Sequence, residues 1–170
     1  MNREQQLRCR IKWLTWFFII GLVLSGATAM PLKTELDLMA KWFGIVTQTS
    51  ATATSEVARW LLTVREALDE TSRNKPFLFY GTDWLAFGHF AIALAFIGAL
   101  RDPVRNRWLF DFGLIACALV IPFAFLCGAV RGIPIWWRLI DCSFGVFGAI
   151  PLWLCRTWSR ELESNLKTSC

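Results

Sequence analysis

One histidine stands among apolar residues in this chain. His89 lies in the run TDWLAFGHFAIALAFIGAL, Thr82–Leu100, which opens with Asp83. A second apolar run, Ile133–Cys155, carries Arg138 and Asp141 and follows Arg131. Two side chains three residues apart share a helix face. Here the same face continues through Gly145, Gly148 and Leu152, and small residues let another helix approach closely. A histidine beside a carboxylate can act as a general base. An arginine can grip a phosphate through two parallel hydrogen bonds. His89, Arg138, Asp141, Asp83 and Arg131 are therefore the candidate ligand-binding residues, with a lipid headgroup or a small anion as the expected ligand. No G-x-S-x-G, no C-x-x-C and no metal-ligand repeat accompanies them. A lone histidine cannot supply both axial ligands of a haem. No catalytic residue, metal site or cofactor is assigned.

What must position these residues is a set of membrane helices. The chain has 170 residues, of which 55% are hydrophobic and only 18% charged, and its mean hydropathy is +0.44. Soluble domains carry about 25% charge, and this deficit is concentrated in long blocks. A span needs about 20 mostly apolar residues. Four blocks reach that length: 13–32, 82–100, 108–130 and 133–155. The expected fold is all-α, a single membrane domain (1–170) built as a four-transmembrane-helix bundle with an amphipathic extracytoplasmic helix. A disordered chain, a disulfide miniprotein and an ordinary soluble enzyme are excluded by composition.

Lys and Arg in the flanks give the orientation. Arg3, Arg8, Arg10 and Lys12, then Arg101, Arg105 and Arg107, then Arg156, Arg160 and Lys167 all fall on one side of a four-span chain. The loop 33–81 holds six basic and six acidic residues and is neutral. The expectation is N-in, C-in in a bacterial inner membrane, with the loop outside. The net charge of +5 then reflects topology, not nucleic-acid binding. A rival reading takes the first block as a signal peptide cleaved after Ala27-Thr28-Ala29; it leaves the later spans in the same orientation.

Charges inside spans are expensive and mark site candidates. Asp83, in the first turn of its helix, is favoured by the helix dipole. Asp111 is four residues after Arg107, spaced for an ion pair along the helix. Arg138 and Asp141 are expected either to lock together as an ion pair or to build an anion site on Arg138. His89, Arg138 and Asp141 reach similar depth, roughly 10 Å below the outer surface at ~1.5 Å per residue. They meet if the small-residue faces of the second and fourth spans pack together.

In the outer loop, SEVARWLLTVREALDETSRN reads as an amphipathic helix. Val57, Leu61, Val64 and Leu68 share its apolar face, widened by Trp60 and Ala67. Glu56, Arg59, Arg65, Glu66, Asp69 and Glu70 take the wet side, and Thr54 or Ser55 caps it. TELDLMAKWFGIV is a second short helix, and TQTSATATS a flexible link. The six cysteines, Cys9, Cys117, Cys127, Cys142, Cys155 and Cys170, lie outside that loop and read as small hydrophobic residues.

The stretches SGATAMPLKTEL, YGTDWLAFGHF, RDPVRNRW and RGIPIWWRLIDCSFGVFGAIPL resemble an uncharacterised bacterial family of four-span integral membrane proteins, over most of residues 20–155. The resemblance implies a cytoplasmic-membrane location and no activity. In architecture the chain is also similar to VanZ-like proteins, with Asp83, His89, Asp141, Gly145 and Gly148 at the loosely corresponding places. It departs from that pattern at Trp84, where a basic residue is usual, in its wider Asp-to-His spacing, and in lacking an Asn before the glycine. The reading is a multi-pass membrane protein that binds a lipid headgroup or small anion in its outer half. The alternatives are a membrane enzyme acting on a lipid-linked substrate through His89 and Asp141, or a small transporter subunit. Expected partners are the lipid bilayer and a further copy of the chain or another membrane protein.

Overall fold

A computed structural model describes residues 3–168, and among these every regular element is helical. The helices are α1 (Arg3–Thr28), α2 (Leu32–Trp42), α3 (Glu56–Asn74), α4 (Tyr80–Arg101), α5 (Arg107–Val130) and α6 (Ile135–Thr168). A short 3-10 turn, Pro76–Phe79, leads into α4. Four of the helices, α1, α4, α5 and α6, are long and apolar enough to cross a membrane.

Two of them outrun their apolar blocks. α1 starts ten residues before Trp13, because REQQLRCRIK is made of strong helix formers and Arg8 pairs with Glu4 one turn back at 3.0 Å. α6 continues past Cys155 to Thr168 for the same reason, with Lys167 on Glu163 at 2.9 Å. Both α5 and α6 run through an internal proline, Pro122 and Pro151.

The chain packs as two compact units, divided within α1 after Gly21 and within α4 after Ala91. In the first unit α5 and α6 form an antiparallel hairpin. The turn is closed at Gly132, whose φ of 67° suits glycine. Ile133 N–H donates to Gly128 O (2.9 Å) and Gly132 N–H to Ala129 O (3.3 Å), the crossed pair of a Schellman motif. Along the hairpin, backbone meets backbone at Gly145: a Cβ there would stand 2.6 Å from the Cys117 carbonyl oxygen. Gly148 faces the Cys117 thiol, and Gly113 receives Leu152. The glycine face of α6 is thus filled by α5 rather than by the second span. The first half of α1 adds Leu7, Ile11 and Thr15 to a core with Phe96, Phe110, Leu152, Cys155 and Leu162. Phe96 lies between Phe18 and Phe110, with ring centroids 4.9 and 6.3 Å away.

In the second unit α3 packs on α2. Leu36 and Ala40 of α2 and Ala58, Leu61 and Leu62 of α3 are buried. Ser55 caps α3 by accepting from Ala58 N–H at 3.1 Å. The packed face of α3 is turned from the expected one: Val57 and Ala67 are exposed, while Arg65 and Asp69 are half-buried. The cause lies on α2, where Asp37 pairs with Arg65 and Lys33 with Asp69, each at 2.6 Å. The Ser/Thr stretch is also tied down. Ser50 gives its N–H and its hydroxyl to Glu66, at 2.9 and 2.6 Å. The end of α1 crosses the start of α4 closely at Gly26, where a Cβ would lie 2.9 Å from the Phe90 ring and 3.1 Å from Ala86 O.

Two outcomes follow. Gly145→Ala should destabilise the hairpin by about 1–3 kcal/mol, since a backbone oxygen cannot turn aside as a side chain can. Gly88→Ala, with open space around it, should not. Thermal unfolding in mild detergent compares them. The second outcome is acid sensitivity of the α2–α3 pair. The Ser50 hydroxyl and N–H hold Glu66 below the usual carboxylate range, and Lys33 does so for Asp69. Carboxylates lowered in the folded state contribute fully above their ordinary value near 4 and lose that contribution as pH falls below it. Hydrogen exchange, corrected for intrinsic rates, should show α3 amides losing protection between roughly pH 4 and pH 2, before those of α5.

Candidate functional site

The α5–α6 turn, 131–134, gathers three of the five candidate residues into one unit. Gly128, two residues before the end of α5, leaves a groove that the Arg138 stem fills. A Cβ at 128 would stand 2.7 Å from Arg138 Cδ and 2.8 Å from its Nε. Arg138 Nε donates to the Ile133 carbonyl at 2.7 Å. That bond satisfies a turn carbonyl and draws the guanidinium toward the turn. Arg131 closes α5 and is exposed. Trp136 and Trp137 follow the turn, edge to face at 5.6 Å.

Arg138 and Asp141 form no ion pair. Helical side chains lean toward the helix N-terminus. Arg138 therefore reaches back five residues to Ile133, away from Asp141 one turn further on. Asp141 is half-buried. Among the described residues no carboxylate lies within ion-pair distance of Arg138 or Arg131.

Asp83 and His89 belong to the other unit. Asp83 is exposed in the first turn of α4, behind Thr82, whose hydroxyl donates to Phe79 O at 2.7 Å. His89 is half-buried, with Nδ1 2.8 Å from Leu85 O. A carbonyl only accepts, so Nδ1 carries the proton and Nε2 of the neutral ring is the acceptor. His89 Cβ also lines the close crossing, 3.0 Å from where a Cβ of Gly26 would stand.

The acid in α5 is engaged elsewhere than expected. Asp111 accepts from Arg156 Nε across the hairpin, and Arg107 pairs instead with Glu163 at 2.6 Å. Arg156, Glu163 and Gly128 were missed as partners. A signal for the first was present: in an antiparallel hairpin, residues equally far from the turn face each other, and Asp111 and Arg156 lie about that far on either side. Cys9, Cys117, Cys127, Cys142 and Cys155 are free thiols, and Cys170 lies outside the described residues. Among the described residues no three His, Cys, Asp or Glu side chains gather as metal ligands.

No protein-family model, no curated protein and no solved structure matches this chain. Two arginines without acids, one of them fixed through Nε, make a short cationic face suited to an anion.

The Asp111–Arg156 bridge yields a double-mutant test. Asp111→Asn leaves a partly buried guanidinium without its counter-ion and should cost roughly 1–3 kcal/mol. Asp111→Leu with Arg156→Leu should recover most of that loss. Thermal unfolding of these proteins and of the single Asp111→Leu and Arg156→Leu variants measures it; additive losses in the two leucine singles and their double would mean that the two side chains do not act as a pair.

Proposed function

We propose that the chain is a multi-pass protein of a bacterial cytoplasmic membrane, with both termini inside, that holds a phosphate-bearing lipid headgroup or a small anion at the α5–α6 turn. The membrane reading is supported by the four long apolar helices and by the apolar side chains they expose, among them Trp13, Phe17, Leu119, Phe123, Leu126 and Phe147. The orientation is supported by the basic residues in the flank before Trp13, in the loop 102–106 with its two bordering arginines, and in the tail after Cys155. The turn 131–134 and the α2–α3 segment then lie outside.

The observation that carries the binding reading is Arg138 itself. It is half-buried in an apolar helix, has no carboxylate partner among the described residues, and is aimed at the turn by one hydrogen bond to Ile133 O. A charge in such a place is costly unless something pairs with it. An arginine whose head rises to the interface meets lipid phosphate there. Arg131 doubles the positive charge at the same turn.

Native mass spectrometry of the protein gently extracted from its own membrane tests this. The expected result is a retained adduct of phospholipid or small-anion mass. Arg138→Ala should weaken it roughly ten- to a hundredfold, the equivalent of a lost charge-assisted bond of ~1.5–3 kcal/mol. Gly128→Ala, which displaces the Arg138 stem without removing the charge, should weaken it less. An adduct that survives Arg138→Ala, or a bare mass from folded wild-type protein, would overturn the binding reading.

A further inference from the structure

We infer that α2 is an interfacial helix, seated with one face in the outer lipid surface, and that α3 rides on its other face. The inference rests on the membrane reading above and goes beyond it. α2 has apolar residues on two opposite sides. Leu36 and Ala40 are buried against α3. Leu38 and Trp42 lie two residues on from each, about 200° round the helix, and are exposed, Trp42 by 81%. Phe43 extends that face. An exposed apolar face of this kind marks an interaction surface.

The chain itself identifies what covers it. Only residues 29–31 separate α1 from α2, which tethers the start of α2 within about 14 Å of the end of α1. A further exposed apolar group of this unit, Phe77 (71%) and Leu78, sits in the 3-10 turn that runs directly into α4. The start of α2 and the 3-10 turn are therefore both held at the ends of apolar spanning helices, where the headgroup layer begins. Their composition fits that layer: tryptophan and phenylalanine for the acyl boundary, with Lys41 and Lys75 exposed beside them for phosphate. α3 has the opposite character. Its exposed side is mostly polar: Glu56, Arg59, Thr63, Glu66 and Glu70, which belong in water, outnumber the exposed Val57 and Ala67. The two helices form a layered pair, lipid-facing below and water-facing above, joined by the Lys33–Asp69 and Asp37–Arg65 bridges.

The test uses the full chain in vesicles of phosphatidylethanolamine and phosphatidylglycerol. These are doped with phospholipids carrying a diazirine either beside the ester carbonyl or at the acyl terminus. After irradiation, adducts are mapped by peptide mass spectrometry. The carbonyl-proximal probe should label Leu38, Trp42, Phe43 and Phe77 several-fold more than Arg59, Thr63 and Glu70 of α3. The acyl-terminal probe should label Leu119 and Phe123 of α5. Leu38→Glu with Trp42→Glu should abolish the α2 adducts and spare those of α5. Labelling of α5 with α2 no better labelled than α3 would overturn this inference and leave the membrane reading standing. Absence of label on α5 would overturn the membrane reading itself. Protein–protein cross-links from residues 38–43, to a second copy or to another protein in place of lipid, would also overturn the inference.

Discussion

The contact on which the first unit depends is the approach of Gly145 to the Cys117 carbonyl. No other residue fits there without moving backbone, so α5 and α6 are held at one separation and one register. Apolar packing alone does not supply such a constraint. Leucine and phenylalanine against lipid are nearly as well placed as against protein, and helices in that setting need close backbone packing to choose a partner. Once the register is set at Gly145, its consequences run both ways along the hairpin. Toward the turn, the Arg138 stem falls on Gly128. Away from it, Leu152 falls on Gly113, Arg156 on Asp111 and Glu163 on Arg107. The two ion pairs join α5 to α6 at their polar ends, and the glycine contacts do so between them.

The second unit is built on the opposite balance. Its buried apolar set is small: Leu36, Ala40, Ile45, Ala53, Ala58, Leu61, Leu62 and Ala86. Polar contacts carry more of the specificity. Ser50 on Glu66, Lys33 on Asp69 and Asp37 on Arg65 fix where α3 lies along α2 and which way it is rotated. Charges placed in a helix–helix seam discriminate between rotations better than they stabilise, because a wrong rotation separates the partners. That is why α3 presents Ala58 and Leu62 to α2 rather than the face centred on Val57 and Val64.

The elements were readable from sequence to the extent that composition forces them. Runs of about 20 apolar residues left few choices, and all four appear as helices. Ser55 and the two helices of the loop were equally plain. What failed depended on partners far away in the chain. The i,i+4 spacing of Arg107 and Asp111 favours a pair within one helix, yet each found a better acceptor or donor on α6. The glycines at 145 and 148 announced a close approach but not its partner, since any helix backbone could fill them. Arg138 and Asp141 share a face, and that alone suggested an ion pair; the length and lean of the arginine side chain decided otherwise.

That decision bears on how an arginine can persist in an apolar helix at all. A pair with Asp141 would have buried two charges and relied on their mutual attraction to offset desolvation, an arrangement that often yields little net stability. The observed solution divides the problem. The aliphatic stem packs in the Gly128 groove, Nε satisfies a turn carbonyl that the helix end would otherwise leave open, and the charge is carried toward the end of the helix. Each of these steps requires the turn to have its particular shape. The Gly132 closure sets that shape by directing Ile133 N–H back to Gly128 O, which brings the groove and the carbonyl acceptor within reach of one side chain. Gly128, Gly132, Ile133 and Arg138 therefore act as one device, and the charge at its tip is the part of the device that no described carboxylate neutralises.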